Sequence, residues 1–189
     1  LILTNSDFRF IVADQLQEVG IDPGHILIEP EVKNTGPAIL AASLYALKDD
    51  PDAVLLVAPS DHVILDEVEF HAALSLGLSE VKNGNIITFG IMPDRPETGY
   101  GYLELASIAN HKPIKLKRFV EKPDLNTAQE MLGSKNYLWN SGVFIFRAID
   151  IVTAFEMYTP NLLTPVKSAI ENGKPDLGFF RLDPAAWAE

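Results

Sequence analysis

At 189 residues, with no cysteine and a formal net charge of −11, the chain has no disulfide framework, no thiolate metal site and no thiol nucleophile. The acidic balance argues against a protein that coats nucleic acid, because phosphate-backbone binding needs a basic face. It leaves nucleotide binding open, since a small phosphorylated ligand needs only local positive charge and a metal ion. No apolar stretch approaches the roughly 20 residues that cross a bilayer, so no membrane partner is expected, and the absence of cysteine fits a cytoplasmic location.

The length suits one domain with a substantial core. Leu1-Ile-Leu-Thr4 reads as the end of a strand, and Phe8, Val12, Leu16 and Val19 recur at helical spacing until Gly20. His25-Ile-Leu-Ile28 is a short buried strand leading into Glu29-Pro30 and a polar loop. Pro37 suits the first turn of a helix whose core face is Leu40, Leu44 and Leu47. Ala53-Val-Leu-Leu-Val57 reads as a strand buried on both faces of a parallel sheet. A helix with Phe70, Leu74, Leu78 and Val81 on one side follows, ended by Asn83-Gly84, and then the strand Ile86-Ile-Thr-Phe89. This βαβαβαβ alternation predicts a Rossmann-like sheet with helices on both faces. After Gly90 the rhythm changes: strands are predicted over 100–105, 113–120 and 137–146, with a helix near 125–132, forming a smaller antiparallel or mixed sheet. Residues 149–170 are helical with a break at Thr159-Pro160. Both ends of the chain look cut, as in a fragment of a longer polypeptide.

Asp61, directly after the Ala58-Pro-Ser60 turn that follows the 53–57 run, is the strongest candidate for chemistry. Ligands of open α/β sheets bind outside the carboxyl ends of parallel strands, and a carboxylate there can hold Mg²⁺ against phosphate. The alternative is that Asp61 caps the helix opening near Leu65. Thr98-Gly-Tyr-Gly-Tyr102 sets two glycines beside two tyrosines, which suits either close backbone approach to a ligand or a hairpin with tyrosines packed on a sheet. In Phe119-Val-Glu-Lys-Pro123 strand alternation puts Phe119 and Glu121 on one face and Val120 and Lys122 on the other. Glu121 there could accept from sugar hydroxyls and Lys122 could pair with phosphate, or both could be ordinary residues at a solvated strand end. Lys115, Lys117 and Arg118 form a local basic patch, open to a phosphate role or to simple exposure. Asn140, in Trp139-Asn-Ser-Gly142, could bond a sugar or serve turn chemistry. His25, His62, His71 and His111 show no ligand spacing and are read as core or surface residues.

Taken in order, Glu29-Pro30 with Asn34-Thr35-Gly36-Pro37-Ala38-Ile39, Pro59-Ser-Asp-His62, Thr98-Gly-Tyr-Gly-Tyr102, Phe119-Val-Glu-Lys-Pro-Asp124 and Trp139-Asn-Ser-Gly-Val-Phe144 resemble the mannose-1-phosphate guanylyltransferases of the bacterial ManC type, in the sugar-nucleotide pyrophosphorylase superfamily. The resemblance spans most of the chain. It implies a glycosyltransferase-A-like α/β domain that converts GTP and mannose 1-phosphate to GDP-mannose and pyrophosphate with Mg²⁺. By position it implies Asp61 as metal ligand, with Glu29, Asn34, Thr35, Ser60 and Asp61 toward the nucleotide. Tyr100, Gly101, Glu121 and Asn140 would face the sugar and Lys122 the phosphates. A second copy of the chain is the candidate protein partner. Such enzymes also carry an N-terminal Gly-rich triphosphate loop with Arg and Lys, and a second metal-binding Asp just beyond a stretch like Phe180-Arg-Leu-Asp183. This chain has no counterpart of either, so residues 1–189 alone are expected to have little or no activity. Gly36 stands where Ala is usual, and Lys33 keeps the charge where Arg is more common.

Three alternatives stay open: a sister nucleotidyltransferase with another base or sugar phosphate, a non-catalytic sugar-nucleotide-binding module, and an unrelated Rossmann-type domain. The missing Gly-x-Gly-x-x-Gly after a first strand disfavours the last.

Overall fold

The computed structural model describes residues 1–22, 24–107 and 112–189; His111 lies outside the described residues. In chain order the first elements are β1 (Ile2–Asn5), α1 (Arg9–Glu18), β2 (Ile26–Glu29), α2 (Thr35–Ala46), β3 (Val54–Val57), α3 (Glu67–Val81), β4 (Ile87–Ile91) and β5 (Tyr102–Leu105). Then come β6 (Leu116–Val120), α4 (Leu125–Gly133), β7 (Tyr137–Arg147), α5 (Ala148–Tyr158), α6 (Pro160–Glu171), β8 (Lys174–Asp176), β9 (Phe179–Arg181) and α7 (Pro184–Ala188). The chain is mixed α/β with both parallel and antiparallel pairing, and it divides into two compact units.

The first unit comprises Leu1–Ala53 and Ala148–Glu189. Its sheet runs β1-β2-β9-β8, the first three parallel and β8 antiparallel. Alternation along β2 explains the helical layers on its two faces. Leu27 joins Leu40 and Ala41 of α2, Val166, Ala169 and Ile170 of α6, and Trp187 of α7. Ile26 and Ile28 point the other way, onto Phe179 and toward Val12 and Ala13 of α1. Each such fully buried aliphatic side chain contributes about 1.5–3 kcal/mol of transfer free energy. The expected α1 face is only partly realised: the helix begins at Arg9, no residue of it is fully buried, and Phe8 and Val19 lie outside it and exposed. The break at Thr159-Pro160 separates α5 from α6 as predicted. The chain leaves this unit after Ala53 and returns at Ala148, whose N–H donates to the Ala53 carbonyl at 2.9 Å.

The second unit, Val54–Arg147, is built on β7. Phe144 pairs with Val57 on one side and Thr88 on the other, while Trp139 pairs with Tyr102 and with Ile91. Thus β4 lies along one side of β7, and β3 and β5 share the other side in succession. β6 extends the sheet from β5. All three of β7's partners are antiparallel to it, which corrects the reading of the 54–57 run as a parallel strand buried on both faces. β3 is an edge strand with Val54 and Leu56 44% and 48% exposed. A short apolar run does not report its partner, and here β7 supplies an antiparallel one. β3 and β4 do run parallel to each other across β7, so the β3–α3–β4 crossover keeps the logic of a βαβ unit.

Helix α4 packs Ala128 and Met131 on Tyr102 and Trp139. Asp124 caps it by accepting from the Thr127 N–H at 2.9 Å, and that bond holds its carboxyl below the usual carboxylate range. On β5, Glu104 is buried and accepts from Lys117 Nζ at 2.6 Å and Arg118 Nε at 3.0 Å, while Arg118 also donates to the Tyr137 hydroxyl. The Lys117 hydrogen bond leads the effects that lower the Glu104 pKa. Two members of the basic patch are therefore engaged in a cross-strand ion-pair network. Gly90 marks a tight spot: a β-carbon there would fall 2.5 Å from Leu138 Cδ1 and 2.7 Å from its Cβ. Because Leu138 Cβ is fixed by its own backbone, Gly90→Ala is expected to destabilise the protein by about 1 kcal/mol or more, read as a lowered urea midpoint.

Candidate functional site

Asp61 sits in the turn beyond the carboxyl end of β3, exposed, and its carboxylate has no hydrogen-bond or ion-pair partner among the described residues. It does not cap α3. That helix starts at Glu67, and its cap is Asp66, which accepts from the Glu69 N–H at 2.9 Å. Ser60 is exposed in the same turn. An uncommitted carboxylate at a strand tip suits Mg²⁺, which binds through one or two carboxylates and completes its shell with water and phosphate oxygens. Among the described residues no group of three or more His, Asp or Glu could hold a metal by itself.

β7 bends beside this turn. Thr88 pairs with Phe144 and Gly90 with Asn140, so Ser141, Gly142 and Val143 stand opposite the single Phe89 as a bulge. Gly142 takes a left-handed φ of +73°, and the Val143 N–H donates to Ser141 Oγ at 3.2 Å. A β-carbon on Gly142 would lie 3.3 Å from Pro59 Cγ, so the bulge packs against the segment carrying Asp61. Just before the bulge, the Asn140 N–H donates to the Gly101 carbonyl at 2.8 Å. A β-carbon on Gly101 would fall 2.5 Å from Phe119 Cζ and 3.2 Å from Glu121 Oε2. Glycine here lets the Phe119 ring and the Glu121 carboxylate lie close over the backbone. Gly101, Glu121 and Asn140, far apart in sequence, meet on one patch.

Glu121 and Lys122 lie past the end of β6, so strand alternation does not set their faces. Lys122 adopts φ +41°, an uncommon region for a side-chain-bearing residue, and its Nζ stands 3.4 Å from Glu121 Oε1 with both side chains largely exposed. The two tyrosines of the Gly-Tyr-Gly-Tyr stretch divide their roles. Tyr102 is fully buried and its hydroxyl accepts from the Glu97 N–H at 2.9 Å, a packing role. Tyr100 is 44% exposed and meets the Trp139 ring edge-on at 5.4 Å. Two neighbours escaped the sequence reading: Arg95, whose guanidinium lies 5.0 Å from the Trp139 ring centroid, and Thr88, whose hydroxyl is 2.9 Å from Asn140 Oδ1. Arg95 stands in a charged Pro-rich stretch that could have drawn notice, but nothing local marks Thr88.

In the first unit Glu29 ends β2 almost buried, 8% exposed, and its Oε1 has no hydrogen-bond partner among the described residues. Burial pushes its pKa up to about 6. Asn34 occupies the N-cap of α2 without a side-chain cap bond, and Thr35 opens the helix; both are exposed. A side-chain amide and a hydroxyl are thus left for a ligand. A separate cavity of about 370 Å³ in this unit is lined by Ser6, Pro30, Lys174, Arg181 and Asp183 among others; it touches the Glu29-Pro30 motif and the Phe180-Arg-Leu-Asp183 stretch but includes none of Glu29, Asn34 and Thr35.

A mixed α/β chain with an uncommitted carboxylate at a strand tip and a polar patch beside it fits nucleotide chemistry, and the chain belongs to the nucleotidyl transferase family, whose pattern matches residues 1–188. Among its relatives, the xanthan biosynthesis protein XanB of Xanthomonas campestris pv. campestris (strain B100) is 45% identical over 188 residues, covering 100% of this chain and 40% of that protein. The mannose-1-phosphate guanylyltransferase of Escherichia coli (strain K12) is 39% identical over 193 residues, covering 99% of this chain and 40% of that protein. The chain thus spans about 40% of the length of these curated relatives. A crystal structure titled mannose-6-phosphate isomerase from Helicobacter pylori superposes with a TM-score of 0.86 at 28% identity, over 100% of this chain and 72% of that one. One titled mannose-1-phosphate geranyltransferase, from Thermus thermophilus, gives 0.80 at 28% identity, over 98% and 51%. No helix among the described residues is long and apolar enough to cross a membrane.

Proposed function

We propose that the protein is a mannose-1-phosphate guanylyltransferase, joining GTP and mannose 1-phosphate to give GDP-mannose and pyrophosphate. The observation that carries the reading is in the second unit: the Asp61 carboxylate, without a partner among the described residues and backed by the Gly142 bulge, beside the Gly101–Glu121–Asn140 patch. The substrate pair follows from relatives named mannose-1-phosphate guanylyltransferase that match nearly the whole chain at 37–39% identity.

A phosphate oxygen of mannose 1-phosphate attacks the α-phosphorus of GTP, the bond from that phosphorus to the β-bridging oxygen breaks, and pyrophosphate leaves with its electron pair. Positioning and charge neutralisation suffice for such a transfer, so no covalent nucleophile is needed. Asp61 would hold Mg²⁺, which when bound neutralises phosphate charge. Ser60 lies with Asp61 toward the nucleotide phosphates in the second unit, and Glu29, Asn34 and Thr35 are the nucleotide-facing candidates of the first. The Gly101 backbone, Glu121, Asn140 and the exposed Tyr100 orient the sugar, and Lys122 turns from Glu121 to phosphate as a mobile point charge.

The test is pyrophosphate release by the full-length protein, comparing GTP with ATP, UTP and dTTP, and mannose 1-phosphate with glucose 1-phosphate. A higher kcat/KM for any other pair overturns the assignment, and GDP-mannose binding without turnover on any pair marks a non-catalytic module. Glu121→Gln should raise the KM for mannose 1-phosphate about fivefold, ~1 kcal/mol, and leave that for GTP within twofold. Equal effects on the two substrates contradict a sugar-facing Glu121.

A further inference from the structure

We infer that Thr88 is a positioning residue that sets the orientation of the Asn140 amide and thereby the affinity for the sugar phosphate. The inference rests on the proposed sugar-facing role of Asn140. An asparagine amide is two-faced: Oδ1 accepts and Nδ2 donates, and the ligand meets one or the other according to which is held behind. Asn140 has one side-chain partner among the described residues, Thr88 Oγ1 at 2.9 Å from Oδ1, which leaves both Nδ2 hydrogens uncommitted. The Thr88 hydroxyl also lies 3.3 Å from the Val143 carbonyl, so it is itself held at the bulge. It has a single proton, and the shorter contact assigns that proton to Oδ1.

The local fold explains why these two residues meet. Thr88 and Gly90 project on the same face of β4, and Asn140 stands opposite Gly90 in the register. With no side chain at Gly90 and three bulged residues shortening the path along β7, the Asn140 amide reaches back to Thr88. Asn140 is half-buried and its backbone N–H is already spent on the Gly101 carbonyl. The residue is therefore anchored at its backbone N–H and at Oδ1, and presents Nδ2 as a donor to a hydroxyl or phosphate oxygen of the sugar phosphate. Such preorganisation lowers the ordering cost of binding.

The experiment uses the full-length enzyme with mannose 1-phosphate and GTP. Thr88→Val keeps the shape and removes the hydroxyl, and should raise the KM for mannose 1-phosphate about tenfold with the KM for GTP, kcat and Tm little changed. Thr88→Ser restores the donor and should return that KM to within twofold of wild type. In an Asn140→Ala background, Thr88→Val should add less than a further twofold, since its effect runs through the amide. A Thr88→Val enzyme with unchanged KM beside an Asn140→Ala enzyme with raised KM overturns the positioning role and leaves the sugar-facing Asn140 standing. Equal increases in both KM values with a lowered Tm, unrescued by serine, overturn it in favour of plain structural support. An Asn140→Ala enzyme with wild-type KM for mannose 1-phosphate overturns the sugar-facing reading itself.

Discussion

Asp61→Asn in the full-length protein is expected to slow pyrophosphate release at least about a hundredfold while leaving the unfolding midpoint unchanged. The two halves of that expectation have separate causes. The carboxylate is exposed and bonds to nothing among the described residues, and the neighbouring helix is capped by Asp66, so stability has nothing to lose. Surface substitutions of that kind stay within about 0.5 kcal/mol. An amide has the same shape but no charge, and in the proposed role beside a divalent cation and a transferring phosphoryl group it could not replace the anion; a hundredfold loss is ~2.7 kcal/mol of barrier. Turnover near that of wild type would remove Asp61 from the chemistry. A fall in the unfolding midpoint would mean instead that the turn needs the charge to fold.

Glu29→Gln carries the second large effect, and its sign depends on pH. The Glu29 carboxyl titrates near 6 in the folded protein against an ordinary value of 4.5, because burial penalises its charged form. Below pH 4.5 both folded and unfolded chains hold the proton, and burial costs nothing extra. Between 4.5 and 6 the unfolded chain gives up its proton while the folded one keeps it, so stability falls as pH rises. Above 6 the whole penalty is present, about 2 kcal/mol for such a shift, or ~30-fold in the folding equilibrium. The glutamine variant should therefore be more stable than wild type at pH 7.5 by about that amount and equal to it at pH 4, measured by urea unfolding. The same burial bears on function. A ligand N–H meeting Oε1 would stabilise the carboxylate, so GTP binding near pH 5.5 should release more protons in wild type than in Glu29→Gln, the γ-phosphate contributing equally to both. Calorimetry in buffers of differing ionisation enthalpy reads it directly. A margin over wild type no larger at pH 7.5 than at pH 4 would mean that Oε1 finds solvent.

Much of the architecture was legible because periodicity reports burial. The helices over Thr35–Ala46 and Glu67–Val81, the Thr159-Pro160 break and the strand ending at Arg147 follow from apolar spacing, proline and glycine. Pairing was not legible. Val54–Val57 has the composition of a fully buried parallel strand, yet its partner is antiparallel and its far edge is open. Side-chain alternation also failed at Glu121 and Lys122, because the ladder ends at Val120 and Lys122 turns left-handed. For the site, the sequence left Asp61 divided between cap and ligand, and the geometry of Asp66 removes the cap. Asn140 was divided between turn chemistry and sugar binding. The bulge serves the turn through Ser141 and Gly142, and the Asn140 amide is held through Oδ1 by Thr88, with Nδ2 unspent among the described residues. The Lys117–Arg118 patch is answered by Glu104 on the adjacent strand, a partner that charge counting along the chain does not reveal.

Ala53 and Ala148, joined by one backbone hydrogen bond, make residues 54–147 an insert with a single doorway. Chains with abutting ends can be excised or transplanted with little strain on what remains. Swapping that cassette between relatives would carry the side chains proposed to face the hexose over as a block, without rewriting Glu29, Asn34 or Thr35. Sugar preference and base preference in such enzymes would then be free to diverge on separate evolutionary clocks.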